Sequence, residues 1–253
     1  MEVRFAPTRD NRVLVEDIEA LIDEHTRLMA LSFVEFYTGY RNDMAAIGRL
    51  CDDRGLFFSV DGIQGLGALE FDARAANVDF VSAGAPKWLM GPVGTGFLWC
   101  RKQSMQYLDP TVIGWMGVVD EDDYFCYDSP LRSDACRFEE GSRNDLGIRG
   151  FEASLELLME VGIERIEQRI MTLTDHLIEG LRDRGYDILT PVASYKERSG
   201  IITFLPRSGS TEELYQRLTE AKVVISQRGA GIRVSPHFYN TEEDVDRLLK
   251  ALP

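Results

Sequence analysis

Two ionisable residues follow predicted β-strands at positions where they could do covalent chemistry. Asp61 comes directly after an apolar run at residues 56–60, which is typical of a buried parallel strand. Lys87 follows a further strand predicted at residues 78–81. Because ligands bind outside the carboxyl ends of strands in open α/β sheets, this carboxylate and this amine could contact one ligand. Taken alone, Asp61 could be a turn or helix-capping residue, and Lys87 could be a surface lysine before a glycine turn.

As a pair, the two residues meet the main demand of pyridoxal-phosphate (PLP) chemistry. A lysine amine can form a Schiff base with the PLP aldehyde, and a carboxylate can keep the pyridine nitrogen protonated. The protonated ring then withdraws electrons from the Cα atom of a bound substrate. The sequence therefore predicts a PLP site that contains Lys87 and Asp61.

The residues around this pair carry a resemblance to a known family. Asp61 and Gln64 stand three apart after a strand, and residues 79–96 read DFVSAGAPKWLMGPVGTG. Two later segments read FEEGSRN at 138–144 and GIRVSPHFYNT at 231–241. Together these segments resemble the class V aminotransferase family, whose members are PLP-dependent, have fold type I and are related to cysteine desulfurases. The resemblance runs from near residue 1 to the C-terminus.

The resemblance implies roles for individual residues. Lys87 would form the Schiff base and then move protons, Asp61 would pair with the pyridinium nitrogen, and Gln64 would hydrogen-bond the ring hydroxyl. Ser142 stands where the family usually has a threonine that reaches the cofactor phosphate of the partner subunit, which implies a homodimer. Arg233 would bind the α-carboxylate of a small amino-acid or keto-acid substrate, a task that suits a guanidinium fork. A structural ion pair is the alternative role for Arg233.

Several features depart from the family pattern. The family begins with a domain-sized segment that holds the PLP phosphate on a glycine-rich loop, whereas this sequence begins near the middle of the large domain. Beside the lysine, Gly84 and Pro86 replace residues whose side chains usually hydrogen-bond the cofactor, and Arg143 replaces a proline. We therefore expect an N-terminally truncated chain that binds PLP weakly or not at all.

The type of reaction stays open at this point. Cysteine desulfurases of the superfamily carry a catalytic cysteine before the substrate arginine, but residues 201–233 contain no cysteine. Transamination, epimerisation and β-elimination share the same lysine and arginine, so the sequence does not separate them. The main hypothesis is a class V aminotransferase-like protein that acts on an amino acid through Lys87 and is impaired by truncation. The alternatives are a non-catalytic remnant that pairs with a full-length relative and a truncated gene product without a distinct role.

Composition excludes several other classes of protein. The 253-residue chain has a formal net charge of −14, which disfavours nucleic-acid binding through the phosphate backbone. The longest uncharged stretch, residues 88–100, is too short to cross a membrane, and the N-terminus lacks an apolar signal segment. The four cysteines form no CxxC motif and the three histidines are far apart, which predicts buried free thiols, a cytoplasmic protein and no metal site.

The elements that must position these residues alternate along residues 1–150. This alternation predicts an α/β fold with a mostly parallel sheet, as in the remainder of a PLP-binding large domain. Strand signals occur at 27–34, 56–60, 78–81 and 96–100, and helices are predicted at 13–22 and from Asn42 or Asp43 to Gly55. Residues 151–253 are predicted to form long helices broken near Gly162 and then a small C-terminal α+β domain. Its signals are strands at 187–190, 201–205, 223–226 and 232–235 and helices after Ser210 and from Thr241.

Overall fold

Four short strands form the larger sheet of the computed structural model, which describes residues 2–253. In spatial order they are β1 (Leu28–Ser32), β2 (Phe57–Asp61), β3 (Phe80–Gly84) and β4 (Gly96–Cys100). The first three strands are parallel, and β4 is antiparallel to β3. Phe58 and Val60 of the central β2 are fully buried, as expected for a strand inside an α/β layer. The predicted α/β fold with a mostly parallel sheet is therefore confirmed.

The helices before and beside this sheet are α1 (Val15–Glu19) and α2 (Met44–Arg54). The prediction for α2 is confirmed at both ends, because the Asp43 carboxylate accepts a hydrogen bond from the Ala46 N–H at 2.9 Å and Gly55 ends the helix with φ of 64°. Helix α1 covers only Val15–Glu19 of the predicted 13–22. Its N-cap residue is Leu14, and an apolar leucine side chain cannot accept a capping hydrogen bond.

Two long helices connect the sheet to the second half of the chain. They are α3 (Asp145–Val161) and α4 (Ile163–Asp183), and the predicted break at Gly162 is confirmed by its φ of 90°. Helix α3 starts at Asp145 rather than at the predicted residue 151, because the Asn144 side chain caps it by accepting a hydrogen bond from the Gly147 N–H at 3.0 Å.

A smaller antiparallel sheet lies in the second half. It contains β5 (Ile202–Phe204), β6 (Ser226–Arg228) and β7 (Gly231–Val234) in the order β5-β7-β6, and it packs with α5 (Thr211–Glu220) and α6 (Glu242–Ala251). Capping boxes begin both helices, at Ser210 and Thr241. The strand predicted at 187–190 is wrong, because only an isolated bridge from Ile188 to Phe204 forms there. Pro191 follows and has no N–H to continue the ladder.

Two hydrophobic clusters make up the core. One surrounds the larger sheet and the other lies between α4, α5, α6 and the smaller sheet. Helix α4 contributes to both, since Ile166 and Ile170 belong to the first cluster and Leu173 and Leu177 to the second. The domain boundary between residues 150 and 151 stays a prediction.

All four cysteines are free, but only Cys51 is buried, so the prediction of buried thiols is wrong for the others; Cys126 is exposed. Burial raises the pKa of the Cys51 thiol to about 12. Among residues 2–253, no helix has the length and apolar character needed to cross a membrane.

Candidate functional site

Asp61 is the last residue of β2, and its side chain is exposed at the carboxyl end of the sheet. In the strand register it lies between Ser32 of β1 and Ser82 of β3. Its Oδ1 accepts a hydrogen bond from the Ile63 N–H at 2.9 Å, which orients the carboxylate at the start of the following turn. The remaining acceptor capacity of the carboxylate faces solvent.

Lys87 lies in a tight turn between β3 and β4. The Gly91 N–H donates to the Ala85 carbonyl at 2.9 Å and the Met90 N–H donates to the Lys87 carbonyl at 3.0 Å, so the turn closes on itself. Lys87 is exposed, whereas the neighbouring Trp88 is buried and anchors the turn to the core. Because β2 and β3 are adjacent and parallel, the turn holds Lys87 beyond the same sheet edge as Asp61.

The charges around Lys87 act on its amine. Desolvation of the ammonium is the main cause that lowers the pKa of Lys87. The positive charge of Arg233 is the second cause. Asp61 opposes this shift, and Arg228 adds to it. Lys87 therefore shares one electrostatic environment with a carboxylate and two guanidinium groups, and its neutral form is more accessible than that of an isolated lysine.

The segment after β1 connects the two sheets. The Arg41 N–H donates to the Glu197 carbonyl at 2.8 Å, and the hydroxyl of Ser199 donates to the Gly39 carbonyl at 2.7 Å. On the smaller sheet, the Thr203 hydroxyl donates to the Tyr37 carbonyl at 2.6 Å. These contacts hold the smaller sheet against the carboxyl end of the larger one.

Arg233 occupies the junction between the sheets. Its Nη1 donates to the Phe36 carbonyl at 2.9 Å, and its Nε is buried without a hydrogen-bond partner among residues 2–253. Burial and the charge of Arg228 lower the pKa of Arg233. The side chain is thus half-buried, acts electrostatically on Lys87 and retains unused donors.

His237 attaches the C-terminal segment to the lysine turn. Its Nε2 donates to the Trp88 carbonyl at 3.1 Å, and its Nδ1 accepts from the Phe238 N–H at 2.9 Å. Burial lowers the pKa of His237, which agrees with a neutral imidazole that uses both nitrogens. The segment from Gly231 onward therefore supports the position of Lys87 as well as supplying Arg233.

The other two predicted site residues, Gln64 and Ser142, have no electrostatic effect on the pKa of Lys87. Gln64 is buried in the turn that follows Asp61. Ser142 is exposed just before α3, two residues from Asn144, whose Nδ2 contacts the Gly94 carbonyl at 3.5 Å. The structure therefore groups Lys87, Asp61 and Arg233 electrostatically and leaves Ser142 on the surface near the turn that follows the lysine.

Two charged residues of this region, Arg228 and Glu35, were not predicted from the sequence. Arg228 ends β6 and acts on the pKa of both Lys87 and Arg233. Glu35 follows β1, and the charge of Asp61 acts on its pKa. Neither lies in a recognisable motif, so only the strand register and the packing of the two sheets identify them.

The residues present fit the ring end of PLP. Lys87 supplies an amine with a lowered pKa, and Asp61 supplies an exposed carboxylate on the adjacent strand. A cavity of about 280 Å³ between Asp79, Arg101 and Phe57 lies elsewhere, at the opposite end of the strands, and has no part in this arrangement.

Comparison with known proteins identifies relatives over nearly the whole chain. The family described as aminotransferase class-V matches residues 1–248. A probable cysteine desulfurase from Methanothermobacter thermautotrophicus is 30% identical over 93% of this chain and 62% of the relative. Isopenicillin N epimerase from Streptomyces clavuligerus is 32% identical over 92% of this chain and 61% of the relative. The chain thus spans a little over three-fifths of the length of these relatives.

Solved structures show the same fold. The apo structure of a cysteine desulfurase from Thermococcus onnurineus NA1 aligns with a TM-score of 0.89 at 24% identity, covering 98% of this chain and 64% of that one. A C-DES variant with glycine covalently linked to its PLP cofactor aligns with a TM-score of 0.85 at 24% identity, covering 93% and 62% of the two chains. At this level of identity the likeness extends to the fold alone.

Proposed function

The chain belongs to the class V aminotransferase family, and from this premise we propose that it acts on an amino acid or keto acid by PLP chemistry at Lys87. The observation that carries the proposal is the grouping of Lys87, Asp61 and Arg233 beyond the carboxyl ends of β2 and β3. This grouping combines an amine for covalent attachment, a carboxylate for the ring nitrogen and a guanidinium for a carboxylate.

Each residue has a distinct task in this proposal. When bound, PLP withdraws electrons from the substrate Cα. Asp61 would keep a proton on the ring nitrogen, and Gln64 would hydrogen-bond the ring hydroxyl. Lys87 would hold the cofactor through Nζ and then carry a proton at that atom, a role that a lowered pKa favours.

The remaining predicted residues would contact the substrate and the partner subunit. Arg233 has unused donors with which it would orient the α-carboxylate of the substrate. The exposed Ser142 would reach the cofactor phosphate held by the partner subunit of a homodimer. A desulfurase reaction is not proposed, because the connection between β6 and β7 is short and carries no cysteine.

Reductive trapping tests the proposal directly. We expect PLP to attach to Lys87 at high PLP concentration with incomplete occupancy, so that borohydride reduction and peptide mapping place the pyridoxyl label on that residue. Lys87→Ala should abolish the label, whereas Lys102→Ala, which changes an exposed lysine outside the site, should retain it. An equal label in wild type and Lys87→Ala would contradict the proposal.

A second candidate function is pairing with a full-length relative. Leu28 in β1 and Leu98 in β4 are half-exposed at opposite edges of the larger sheet. The strand register places them on one face, since Leu28 lies beside Phe57, Ser59 beside Phe80, and Ser82 beside Leu98. Such a face favours association with another polypeptide. Stable co-purification with a co-expressed full-length family member, together with absence of the Lys87 label, would favour this candidate over catalysis.

A further inference from the structure

Arg228 and Arg233 project from the same face of the smaller sheet. Arg233 of β7 pairs with Ser226 of β6, and residues that pair directly across strands share a face. Arg228 is two residues beyond Ser226, so its side chain points to that face as well. The two guanidinium groups are therefore diagonal neighbours at the junction of the sheets.

Neither guanidinium has a carboxylate partner within the described part of the chain, although the sequence is strongly acidic with 42 Asp and Glu residues. Several other half-buried arginines do have carboxylate partners, as Arg41 has with Glu167 at 2.7 Å and Arg12 with Glu197 at 2.9 Å. Among residues 2–253, by contrast, Arg228 and Arg233 donate only to backbone carbonyls, and the Arg233 Nε has no partner.

We propose that Arg228 and Arg233 together select a substrate with two carboxylates, that is, an acidic amino acid or its keto acid. Arg233 takes the α-carboxylate and Arg228 takes the distal carboxylate. The inference rests on the proposed function, because it assumes that the substrate lies between these arginines and Lys87.

The electrostatics support two anionic groups over one. Arg228 lowers the pKa of both Lys87 and Arg233, so the three cations repel one another when no ligand is present. A monocarboxylate neutralises one guanidinium and leaves the other half-buried and unpaired, whereas a dicarboxylate neutralises both. Charge-assisted hydrogen bonds from a guanidinium fork also favour a planar carboxylate.

The test measures binding of simple probes to the full chain. Dissociation constants for succinate and propionate, which differ by one carboxylate, are obtained by ligand-observed NMR titration. We expect succinate to bind about tenfold more tightly than propionate, as one additional charge-assisted contact provides. Arg228→Gln should remove this preference by weakening succinate binding to the level of propionate binding, while Arg228→Lys should restore part of it.

Arg182→Gln is the matched control, because Arg182 is an exposed arginine in the last turn of α4. It should retain the full preference for succinate. A thermal melt of each variant shows whether it is folded, and the partial recovery in Arg228→Lys separates a charge contact from a structural defect.

Equal affinity for succinate and propionate, undetectable binding of both, tighter binding of inorganic phosphate than of succinate, or an unchanged preference in Arg228→Gln would each overturn the inference. These results are independent of the Lys87 label, since the titrations need no turnover. A succinate preference that depends on Arg228, found without any label on Lys87, would support the dicarboxylate site and reject the PLP proposal.

Discussion

Glu35 places a second carboxyl group next to Asp61. Its Oε1 accepts a hydrogen bond from the Asn42 Nδ2 at 2.7 Å, and Asn42 also donates to the Ser32 carbonyl at 2.9 Å. Burial and, to a lesser extent, the charge of Asp61 raise the pKa of Glu35. Ionised Glu35 is therefore a source of instability at the carboxyl end of the sheet, where ligands are expected.

This shift predicts a pH-dependent effect of Glu35→Gln. An acid with a raised folded-state pKa stabilises the fold below its unfolded pKa, near the ordinary 4.5, and that stability is lost as the pH rises through the folded pKa. Glutamine keeps the acceptor for Asn42 but carries no charge. We expect Glu35→Gln to raise the melting temperature at pH 7 by about 2–4 °C and to have little effect at pH 4.

Thermal melts at both pH values test this expectation. Glu160→Gln is the control, because Glu160 is an exposed glutamate on α3, and it should leave the melting temperature unchanged at either pH. A gain of equal size at pH 4 and pH 7 would show that ionisation of Glu35 is not the cause.

At the scale of elements, local signals predicted the helices well and the strands less well. Asp43, Gly55 and Ser210 mark helix ends through contacts within a few residues, so they can be recognised in the sequence. Strand β3 lies at Phe80–Gly84 rather than 78–81, because its extent depends on pairing with β2 and β4. Pairing partners distant in sequence leave no local signal.

The candidate site follows the same rule. The positions of Lys87 and Asp61 near one sheet edge could be predicted because each comes after a strand signal, and the parallel order of β2 and β3 brings those strand ends together. Arg228 could not be predicted, because its position beside Arg233 depends on the antiparallel register of β6 and β7. The roles assigned to Lys87, Asp61, Gln64, Ser142 and Arg233 all stay predictions.

Helix α2 offers a prediction at this scale. A Cβ atom at Gly48 would lie 1.8 Å from the Ala76 carbonyl oxygen, whereas a Cβ at Gly55 would meet nothing within 4 Å. Gly48→Ala gains about 1 kcal/mol of helix propensity but must move backbone, so we expect a net loss of about 3 kcal/mol. Gly55→Ala, which carries only the strain of positive φ, should lose about 1 kcal/mol.

Urea unfolding of the two variants measures both losses. The two losses have different causes, a close backbone contact at Gly48 and the strain of positive φ at Gly55, so the larger loss expected at Gly48 reports the contact. Equal destabilisation of the two variants would contradict the close approach of α2 to Ala76.

At the scale of the whole molecule, the two sheets are held together by residues that also build the site. The segment from Tyr37 to Arg41 bonds to the second half of the chain, and His237 bonds to the Trp88 carbonyl beside Lys87. Any loosening of the smaller sheet would therefore displace Arg233 and the lysine turn together. The geometry of the site therefore depends on the packing between the two halves of the chain.

The exposed face of the larger sheet leads to the last prediction. Leu98 is 48% exposed in the edge strand β4, where unpaired backbone groups and an apolar side chain favour association with another chain. A lysine at that position would add a charge that must stay hydrated, which opposes both edge pairing and burial of the face. We therefore expect Leu98→Lys to reduce concentration-dependent association in sedimentation velocity experiments. Val224, between α5 and β6, is 98% exposed, so the control variant Val224→Lys should associate as the wild type does. An unchanged sedimentation profile for Leu98→Lys would mean that association uses another surface.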